Sequence, residues 1–206
     1  MEVEYFLSLN SPWAYLGAER VVAVAARHGA TLRIRPVDAG VLFPASGGLP
    51  LAKRAPQRQA YRLQELRRWS AFLERPLNLR PRHSPFPEPL AAQCVIALRE
   101  TASDAAAIHL AHRILRAVWA EEQDPGDPAC LARLATECGQ DGDALLRLGA
   151  ETRWAERRQA DSEAALARGV FGMPSYMVGE ELFWGQDRLD FLDRHLASFG
   201  TSLSRS

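Results

Sequence analysis

The sequence predicts an α/β fold in which a strand–helix–strand unit opens the chain and a strand–strand–helix unit closes it. Three observations indicate this order. Residues 3–9 are a short apolar run of the kind found in buried strands, and residues 31–37 alternate apolar and charged side chains as a strand does. A helical stripe of apolar side chains lies between them. Residues 175–178 and 181–184 are two further strand-like runs. Between the two units, the apolar side chains recur mainly with the period of a helix.

The opening unit has clear stops between its elements. Asn10-Ser11-Pro12 ends the first strand, and Pro12 suits the first turn of a helix because no backbone donor is needed there. Gly29 offers a C-terminal stop for that helix. A strand–helix–strand crossover favours a parallel pair of strands. Residues 38–56 are rich in Gly, Pro, Ala and Ser, which predicts a long irregular connection.

The middle of the chain is predicted to be helical, apart from a Pro-rich break over residues 76–89. A helix is expected over residues 57–75, before the break. After the break, helical segments are expected over residues 90–100, 103–122, 127–139, 141–150 and 151–168.

The carboxyl-terminal unit completes the pattern. Gly179-Glu180 suits a tight turn between the last two strands, and residues 186–197 have the spacing of a closing helix. This order of elements is that of a thioredoxin-like fold. We therefore expect a thioredoxin-like domain made from two separate parts of the chain, residues 1–56 and 169–200. A large helical insertion is expected over residues 57–168, and a frayed tail over residues 201–206.

Composition excludes several classes of protein. The chain has 206 residues, and 25 Lys and Arg against 25 Asp and Glu give a formal net charge of zero. Neutral chains are not typical of proteins that coat nucleic acids or bind membranes through a basic surface. The sequence has no run of roughly 20 apolar residues, and its start, Met1-Glu2-Val3-Glu4, lacks the basic region of a signal peptide. We therefore expect a cytoplasmic protein without nucleic-acid or membrane partners.

The cysteines and histidines give no sign of a metal or disulfide site. Cys94, Cys130 and Cys138 are scattered and form no Cys-x-x-Cys pair, which favours a reducing compartment. Cys94 lies among apolar residues and is expected in the core. His109 and His112 have helical i, i+3 spacing but lack a third ligand nearby, so we expect two half-exposed histidines and no metal.

The neutral total conceals a cationic stretch between Lys53 and Arg82. This stretch contains nine Lys and Arg but only two acidic residues, Glu65 and Glu74, so its net charge is 9 − 2 = +7. The net charge of the rest of the chain is therefore −7. Such a stretch would attract an anionic cofactor and a carboxylate substrate. The alternative interpretation is a solvated, Arg-rich helix face.

Ser11 occupies the position at which thioredoxin-like folds hold their reactive group, at the amino end of the first helix. Unpaired N–H groups and a partial positive charge stabilise an anion there by roughly 0.3–1 kcal/mol. Because Ser11-Pro12-Trp13-Ala14 contains no cysteine, dithiol exchange by these residues is not available. Ser11 is therefore either a plain N-cap or a hydrogen-bond donor to a thiolate that a ligand supplies.

Three segments carry a family resemblance. They are Ser-Pro-Trp-Ala-Tyr-Leu-Gly at 11–17, Gly-Val-Phe-Gly-Met-Pro-Ser at 169–175 and Phe-Trp-Gly-Gln-Asp-Arg-Leu at 183–189. With these motifs in this order, nearly the whole chain resembles the 2-hydroxychromene-2-carboxylate isomerase family. That family is a sister of the kappa-class glutathione transferases within the DsbA-like thioredoxin superfamily. The resemblance implies glutathione as a bound cofactor, a small aromatic carboxylate as substrate, and a homodimer.

The resemblance also implies roles for single residues. Ser11 is the expected catalytic residue, since its hydroxyl would bond the glutathione sulfur. The expected glutathione-binding residues are Ser11, Pro12, Trp13, Met173, Pro174, Gln186 and Asp187. The Met173-Pro174 bond matches the one that is cis in thioredoxin-like folds, whereas Gln186 and Asp187 match the start of the last helix. Without the resemblance, the alternative for Met173-Pro174 is an ordinary loop before a strand, and the alternative for Gln186 and Asp187 is simple helix capping. Trp184 is expected to pack in the core.

Two departures from the family pattern affect the expected binding site. Many relatives have an Asn after the second strand and a Lys shortly before the Tyr that aligns with Tyr61, whereas this chain has Gly47-Gly48 and Arg58. Lys53 or Arg58 is a possible anion-binding residue in their place.

The implied activity is isomerisation of an unsaturated aromatic 2-oxo acid through transient addition of the glutathione thiolate. A kappa-like glutathione transferase or peroxidase and a non-catalytic glutathione-binding protein remain the alternatives.

Overall fold

A four-stranded mixed sheet forms the centre of the fold. The computed structural model describes the backbone of residues 1–203 and the side chains of residues 1–199. The strands are β1 (Glu2–Leu7), β2 (Thr31–Pro36), β3 (Ser175–Val178) and β4 (Glu181–Trp184), in the order β2-β1-β3-β4. The β1 and β2 strands are parallel, as the crossover predicts, and the other two pairings are antiparallel. In the register, Tyr5 lies opposite Ile34 on one side and Tyr176 on the other.

Helices account for most of the remaining chain. They are α1 (Pro12–Arg27), α2 (Ala39–Ser46), α3 (Pro56–Phe72), α4 (Pro89–Thr101), α5 (Asp104–Glu121), α6 (Pro128–Glu137), α7 (Gly142–Gly149), α8 (Thr152–Ala167) and α9 (Leu189–Leu203). Short 3-10 helices cover Leu51–Lys53 and Gln186–Arg188. The segment between α3 and α4 contains no helix or strand, which confirms the predicted Pro-rich break.

The two faces of the sheet pack against different clusters because neighbouring residues of a strand point to opposite sides. Val3, Tyr5 and Leu7 of β1 belong to the main core, together with buried residues of α1, α4 and α5. Phe6 faces the other way. It belongs to a smaller cluster whose other buried members are Val37, Leu42, Ala165, Val170 and Met177. The predicted thioredoxin-like layout, βαβ followed by helices and then ββα, is confirmed.

The irregular connection expected over residues 38–56 is wrong in part. Residues Ala39–Ser46 form α2 although Pro44 lies inside it, and Asp38 caps it by accepting a hydrogen bond from the Gly40 N–H at 2.7 Å. Leu42 is fully buried in the smaller cluster. Burial of this one side chain contributes about 1.5–3 kcal/mol, which offsets part of the poor helix propensity of the segment.

The helices α3 to α8 fall within residues 56–167, close to the expected insertion at 57–168. The division into a thioredoxin-like domain and an inserted domain stays a prediction. For the frayed tail expected over residues 201–206, α9 is described through Leu203, and residues 204–206 lie outside the described part. In the part that is described, no helix combines the length and the apolar character needed to span a membrane.

Candidate active site

Ser11 is the N-cap of α1. Its Oγ accepts a hydrogen bond from the Ala14 N–H at 3.2 Å, and its carbonyl oxygen accepts one from the Tyr15 N–H at 3.1 Å. Pro12 follows as the first helical residue and is buried, whereas Trp13 is half-buried and packs against the main core. The N-cap interpretation of Ser11 is therefore confirmed. A further role toward a ligand stays a prediction.

The loop before β3 places a second predicted residue beside Ser11. The Met173–Pro174 bond is cis, as expected. Ser11 Oγ donates a hydrogen bond to the Met173 carbonyl at 3.4 Å, which joins residues 162 positions apart. Hydroxyl hydrogen bonds are usually 2.7–2.8 Å long, so this bond is weak and the hydroxyl proton can turn to a better acceptor.

Gln186 and Asp187 lie in a 3-10 turn just before α9, not in its first turn. Gln186 is buried, and Arg20 donates hydrogen bonds to its side-chain Oε1 at 2.7 Å and to its carbonyl oxygen at 2.9 Å. Its amide nitrogen Nε2 is buried and has no partner among the described residues. Asp187 is half-buried, and its nearest ionic partner is Arg188 at 3.5 Å.

Close packing against α1 fixes the position of Gln186. A Cβ added at Gly17 would lie only 2.9 Å from the Gln186 Cβ, so the backbone of α1 can approach the turn because residue 17 is glycine. Gly17 is six residues from Ser11, about 9 Å along a helix. Ser11 and Gln186 are therefore both held by α1, one at its amino end and the other near its middle.

Lys53 and Arg58 are not brought into this arrangement by any contact. Both are exposed, and neither side chain forms a hydrogen bond or ion pair with another residue in the described part of the chain. Their role as anion-binding residues stays a prediction.

Glu88 is a residue of the site that the sequence interpretation missed. It lies in the Pro-rich break, yet its carboxylate reaches the loop between β1 and α1. It accepts hydrogen bonds from the Ser8 hydroxyl at 2.8 Å, the Leu9 N–H at 2.7 Å and the Asn10 Nδ2 at 3.2 Å. Burial raises the pKa of the Glu88 carboxyl, although Arg158 and these donors act in the opposite direction.

Asn10 adds a second link between the same two segments. Its Nδ2 donates to the Phe86 carbonyl at 3.1 Å, and its Oδ1 accepts from the Phe86 N–H at 3.0 Å. The Pro-rich break is thus a clamp on the residues that precede Ser11. A sequence signal for it existed: Ser8 and Asn10 are polar residues at the end of a buried strand, and buried polar groups need partners.

The expectation that Trp184 packs in the core is wrong. Its side chain is 52% exposed, and its ring lies 4.7 Å from that of Phe171, centroid to centroid. A Cβ at Gly172 would overlap the Trp184 indole nitrogen, which shows how closely the ring covers the backbone before Met173. β4 is an edge strand of the sheet, so its side chains have a neighbouring strand on one side only and contact less protein than those of a central strand. An aromatic surface therefore flanks the Met173–Pro174 loop.

The cysteines do not form part of the site. Cys94 is buried in the core, as expected, and burial raises the pKa of its thiol to about 12. Burial also raises the pKa values of Cys130 and Cys138. A thiol with a raised pKa is a poor nucleophile because little thiolate is present at neutral pH.

Comparison with known proteins places this fold in a class. A family model described as a DSBA-like thioredoxin domain matches residues 2–197. The chain belongs to that family. A relative from Sphingobium xenophagum, named 2-hydroxychromene-2-carboxylate isomerase, is 30% identical over 94% of this chain and 97% of the relative. Within the DsbA-like class, the chain therefore belongs to the 2-hydroxychromene-2-carboxylate isomerase family.

Solved structures agree with this fold. A 2-hydroxychromene-2-carboxylate isomerase structure superposes with a TM-score of 0.83, at 24% identity, over 100% of this chain and 98% of the other. The cytosolic disulfide reductase DsbM from Pseudomonas aeruginosa, solved with GSH, gives a TM-score of 0.67 at 19% identity, over 99% and 100% of the two chains. At these identities the two structures show a shared fold.

Proposed function

We propose that this protein is a glutathione-dependent isomerase that acts on 2-hydroxychromene-2-carboxylate or a related unsaturated aromatic 2-oxo acid. The relatives carry that isomerase name over nearly their whole length. The observation that carries the proposal is the Ser11 hydroxyl at the amino end of α1, only weakly bonded to the Met173 carbonyl. A thioredoxin-like site with a serine there, and no reactive thiol of its own, suits a thiol that arrives with a ligand.

The polar groups around the site fit a small anionic peptide. Ser11 Oγ and the first-turn N–H groups of α1 would hold a thiolate. The buried Gln186 Nε2 has no partner among the described residues and offers one more donor for a carboxylate or carbonyl oxygen. Asp187 carries a charge that suits the ammonium of a γ-glutamyl group. These groups, with Pro12, Trp13 and Pro174 as their supports, are the residues that would hold glutathione.

When bound, glutathione would supply a thiolate that adds to the conjugated double bond, so that rotation precedes elimination. The residues of this chain have simpler tasks. Ser11 donates a hydrogen bond where negative charge is held, and the first turn of α1 lowers the cost of that charge. The clamp from Glu88 and Asn10 keeps the Ser11 loop in one position, so that no reorganisation is needed during the reaction.

Replacing Ser11 by alanine tests this proposal. Removing one positioned donor to a reacting anion typically lowers turnover by about 100- to 1,000-fold. Glutathione affinity, measured by calorimetry, should change little because the other contacts remain. Ser103→Ala is the matched control, since Ser103 caps α5 through the Ala106 N–H at 3.1 Å. Both variants lose an N-cap, which costs about 1 kcal/mol of stability, but only Ser11→Ala should lose turnover.

Three results would contradict the proposal. Unchanged turnover in Ser11→Ala would remove the hydroxyl from the mechanism. Absence of glutathione binding to the unaltered protein would remove the cofactor. Consumption of glutathione during turnover would indicate a transferase, because an isomerase leaves total glutathione constant. A homodimer is also proposed, from the family resemblance, and a cytoplasmic location is proposed from the scattered cysteines.

A further inference from the structure

Two tyrosines on neighbouring strands bury their hydroxyl groups in the main core. Tyr5 of β1 lies directly opposite Tyr176 of β3 in the register, and the two rings stack with their centroids 5.3 Å apart. Both side chains are fully buried, and neither hydroxyl forms a hydrogen bond with another residue in the described part of the chain. Buried polar groups normally have a partner, because an unpaired one costs free energy. These two hydroxyls therefore need a partner other than a described side chain.

Gln186 adds a third buried polar group of the same kind. Arg20 carries only N–H donors, so the amide atom that lies 2.7 Å from its guanidinium is the acceptor, Oε1. The other end of the amide, Nε2, is buried and has no hydrogen-bond partner among the described residues. The contact with Arg20 thus fixes one end of the Gln186 side chain and leaves two N–H donors at the other end.

The packing of α1 brings Tyr176 and Gln186 together. A Cβ added at Gly17 would lie 3.0 Å from the Tyr176 hydroxyl and 2.9 Å from the Gln186 Cβ. The Tyr176 hydroxyl and the Gln186 Cβ are therefore no further apart than these two distances combined, and Nε2 is three covalent bonds from that Cβ. A water molecule that bonds to two groups separates them by about 5 Å, which this packing allows.

Charges near Tyr176 locate its hydroxyl at the same place. Burial raises the pKa of the Tyr176 hydroxyl well above its ordinary value, Tyr5 and Asp187 act in the same direction, and Arg20 opposes them. Arg20 is the residue that holds Gln186, and Asp187 follows Gln186 in the chain. Burial also raises the pKa of the Tyr5 hydroxyl. Both hydroxyls therefore keep their protons at neutral pH, and each can donate one hydrogen bond and accept others.

We propose that ordered water is bound in the core between the Tyr176 hydroxyl and Gln186 Nε2, with the Tyr5 hydroxyl as a further partner. A buried water molecule typically makes about three hydrogen bonds to groups that otherwise have none. Donors and acceptors match here, because Nε2 donates and each tyrosine hydroxyl both donates and accepts. Water is the ligand because the three side chains are at most 1% exposed, which leaves no entry for a larger molecule.

The water site gives Tyr176 a positioning role, and this part of the inference rests on the proposed function. One N–H of Nε2 donates to the water, which fixes the plane of the amide. The second N–H then keeps one direction and is ready for a ligand, so that less order has to be imposed when glutathione binds. Tyr176 itself touches no ligand and acts through Gln186.

Thermal unfolding separates a hydrated site from a dry one by the direction of the change. If Tyr176→Phe removes a hydrogen bond to water, Tm should fall by about 2–4 °C. If the hydroxyl has no partner, its removal eliminates an unpaired buried group, and Tm should stay the same or rise. Tyr15→Phe is the matched control, because Tyr15 is also buried in the main core and its hydroxyl donates to the Pro76 carbonyl at 2.7 Å. Its Tm should fall by a similar amount.

A crystal structure of the unaltered protein tests the water site without any variant. At a resolution that shows ordered water, density is expected within hydrogen-bond distance of both Tyr176 Oη and Gln186 Nε2. The proposal is overturned if no water contacts these two atoms, or if the Tm of Tyr176→Phe equals or exceeds that of the unaltered protein.

Calorimetry tests the positioning role. Tyr176→Phe should weaken glutathione binding severalfold in the unaltered background and should have no further effect once Gln186→Met has removed the amide. A merely structural effect would lower the affinity equally in both backgrounds, and that result would overturn the positioning role. If the unaltered protein binds no glutathione, the proposed function is refuted, whereas Tm and the crystallographic water still decide the water site.

Discussion

Replacing His112 by phenylalanine should make the folded state less sensitive to acid. The His112 ring is half-buried in α5 and lies edge-on to Tyr5, with ring centroids 6.0 Å apart. Its Nε2 has no hydrogen-bond partner in the described structure, so a phenylalanine ring of similar size loses no hydrogen bond there. The expectation of two half-exposed histidines is confirmed for His112, which is half-buried, and is wrong for His109, which is exposed.

The size of the effect follows from the pKa of His112. Burial lowers this pKa from 6.5 to about 3, and the charges of Arg75 and His109 act in the same direction. Because the unfolded chain takes up the proton first, the free energy of unfolding is highest above pH 6.5 and falls as the pH falls toward 3. At 1.36 kcal/mol for each pH unit, the loss is about 3 kcal/mol at pH 4.5 and about 5 kcal/mol when complete.

Urea unfolding followed by circular dichroism at pH 7.0 and pH 4.5 measures this difference. The unaltered protein and the control His109→Gln should lose about 3 kcal/mol more between the two pH values than His112→Phe does. Carboxylates that also titrate in this range are common to all three proteins and cancel in the comparison. Equal losses in His112→Phe and the unaltered protein would refute the argument that burial keeps this ring neutral.

Three further predictions concern the core and the clamp. Glu88→Ala leaves the donors of Ser8, Leu9 and Asn10 without their acceptor, so the free energy of unfolding should fall by about 1–3 kcal/mol. Turnover should fall as well. An unchanged urea midpoint together with unchanged turnover would contradict the role of the clamp. Gly142→Ala puts a Cβ against the Ala132 carbonyl oxygen and should cost about 1–3 kcal/mol, measured by thermal unfolding, whereas an unchanged Tm would show that α7 shifts freely. Cys94, with its buried thiol and raised pKa, should resist iodoacetamide at pH 8 until urea unfolds the chain, and rapid labelling of the native protein would contradict its burial.

Much of the fold could be predicted because local signals and burial agree. The helical segments expected from residues 103 and 127 form, and Ser103 and Asp127 cap them by accepting hydrogen bonds from the first turns of α5 and α6. The hairpin expected at Gly179-Glu180 forms, and Gly179 has the positive φ of 60° that such a turn favours. At these positions a single short segment carries enough information to specify its own conformation.

The features that could not be predicted depend on distant parts of the chain. α2 forms because Leu42 enters a cluster with residues that follow it by more than 120 positions, such as Ala165. Trp184 is exposed because β4 is the last strand, and strand order is not visible in one strand. At the site, Ser11 and Met173 could be named from their motifs, but Glu88 could not, since its partners lie 78 to 80 positions away.

The hydrogen bond between Ser11 and Met173 also bears on when the site can form. Its two residues are separated by 162 positions, and β1, which leads into Ser11, pairs with β3 only after all of α2 to α8 has been made. Contacts between distant residues form slowly because closing the intervening loop costs entropy. A chain still emerging from the ribosome would contain the residues of α1 long before it holds a complete site. Ligand binding at Ser11 is therefore a direct reporter of completed folding.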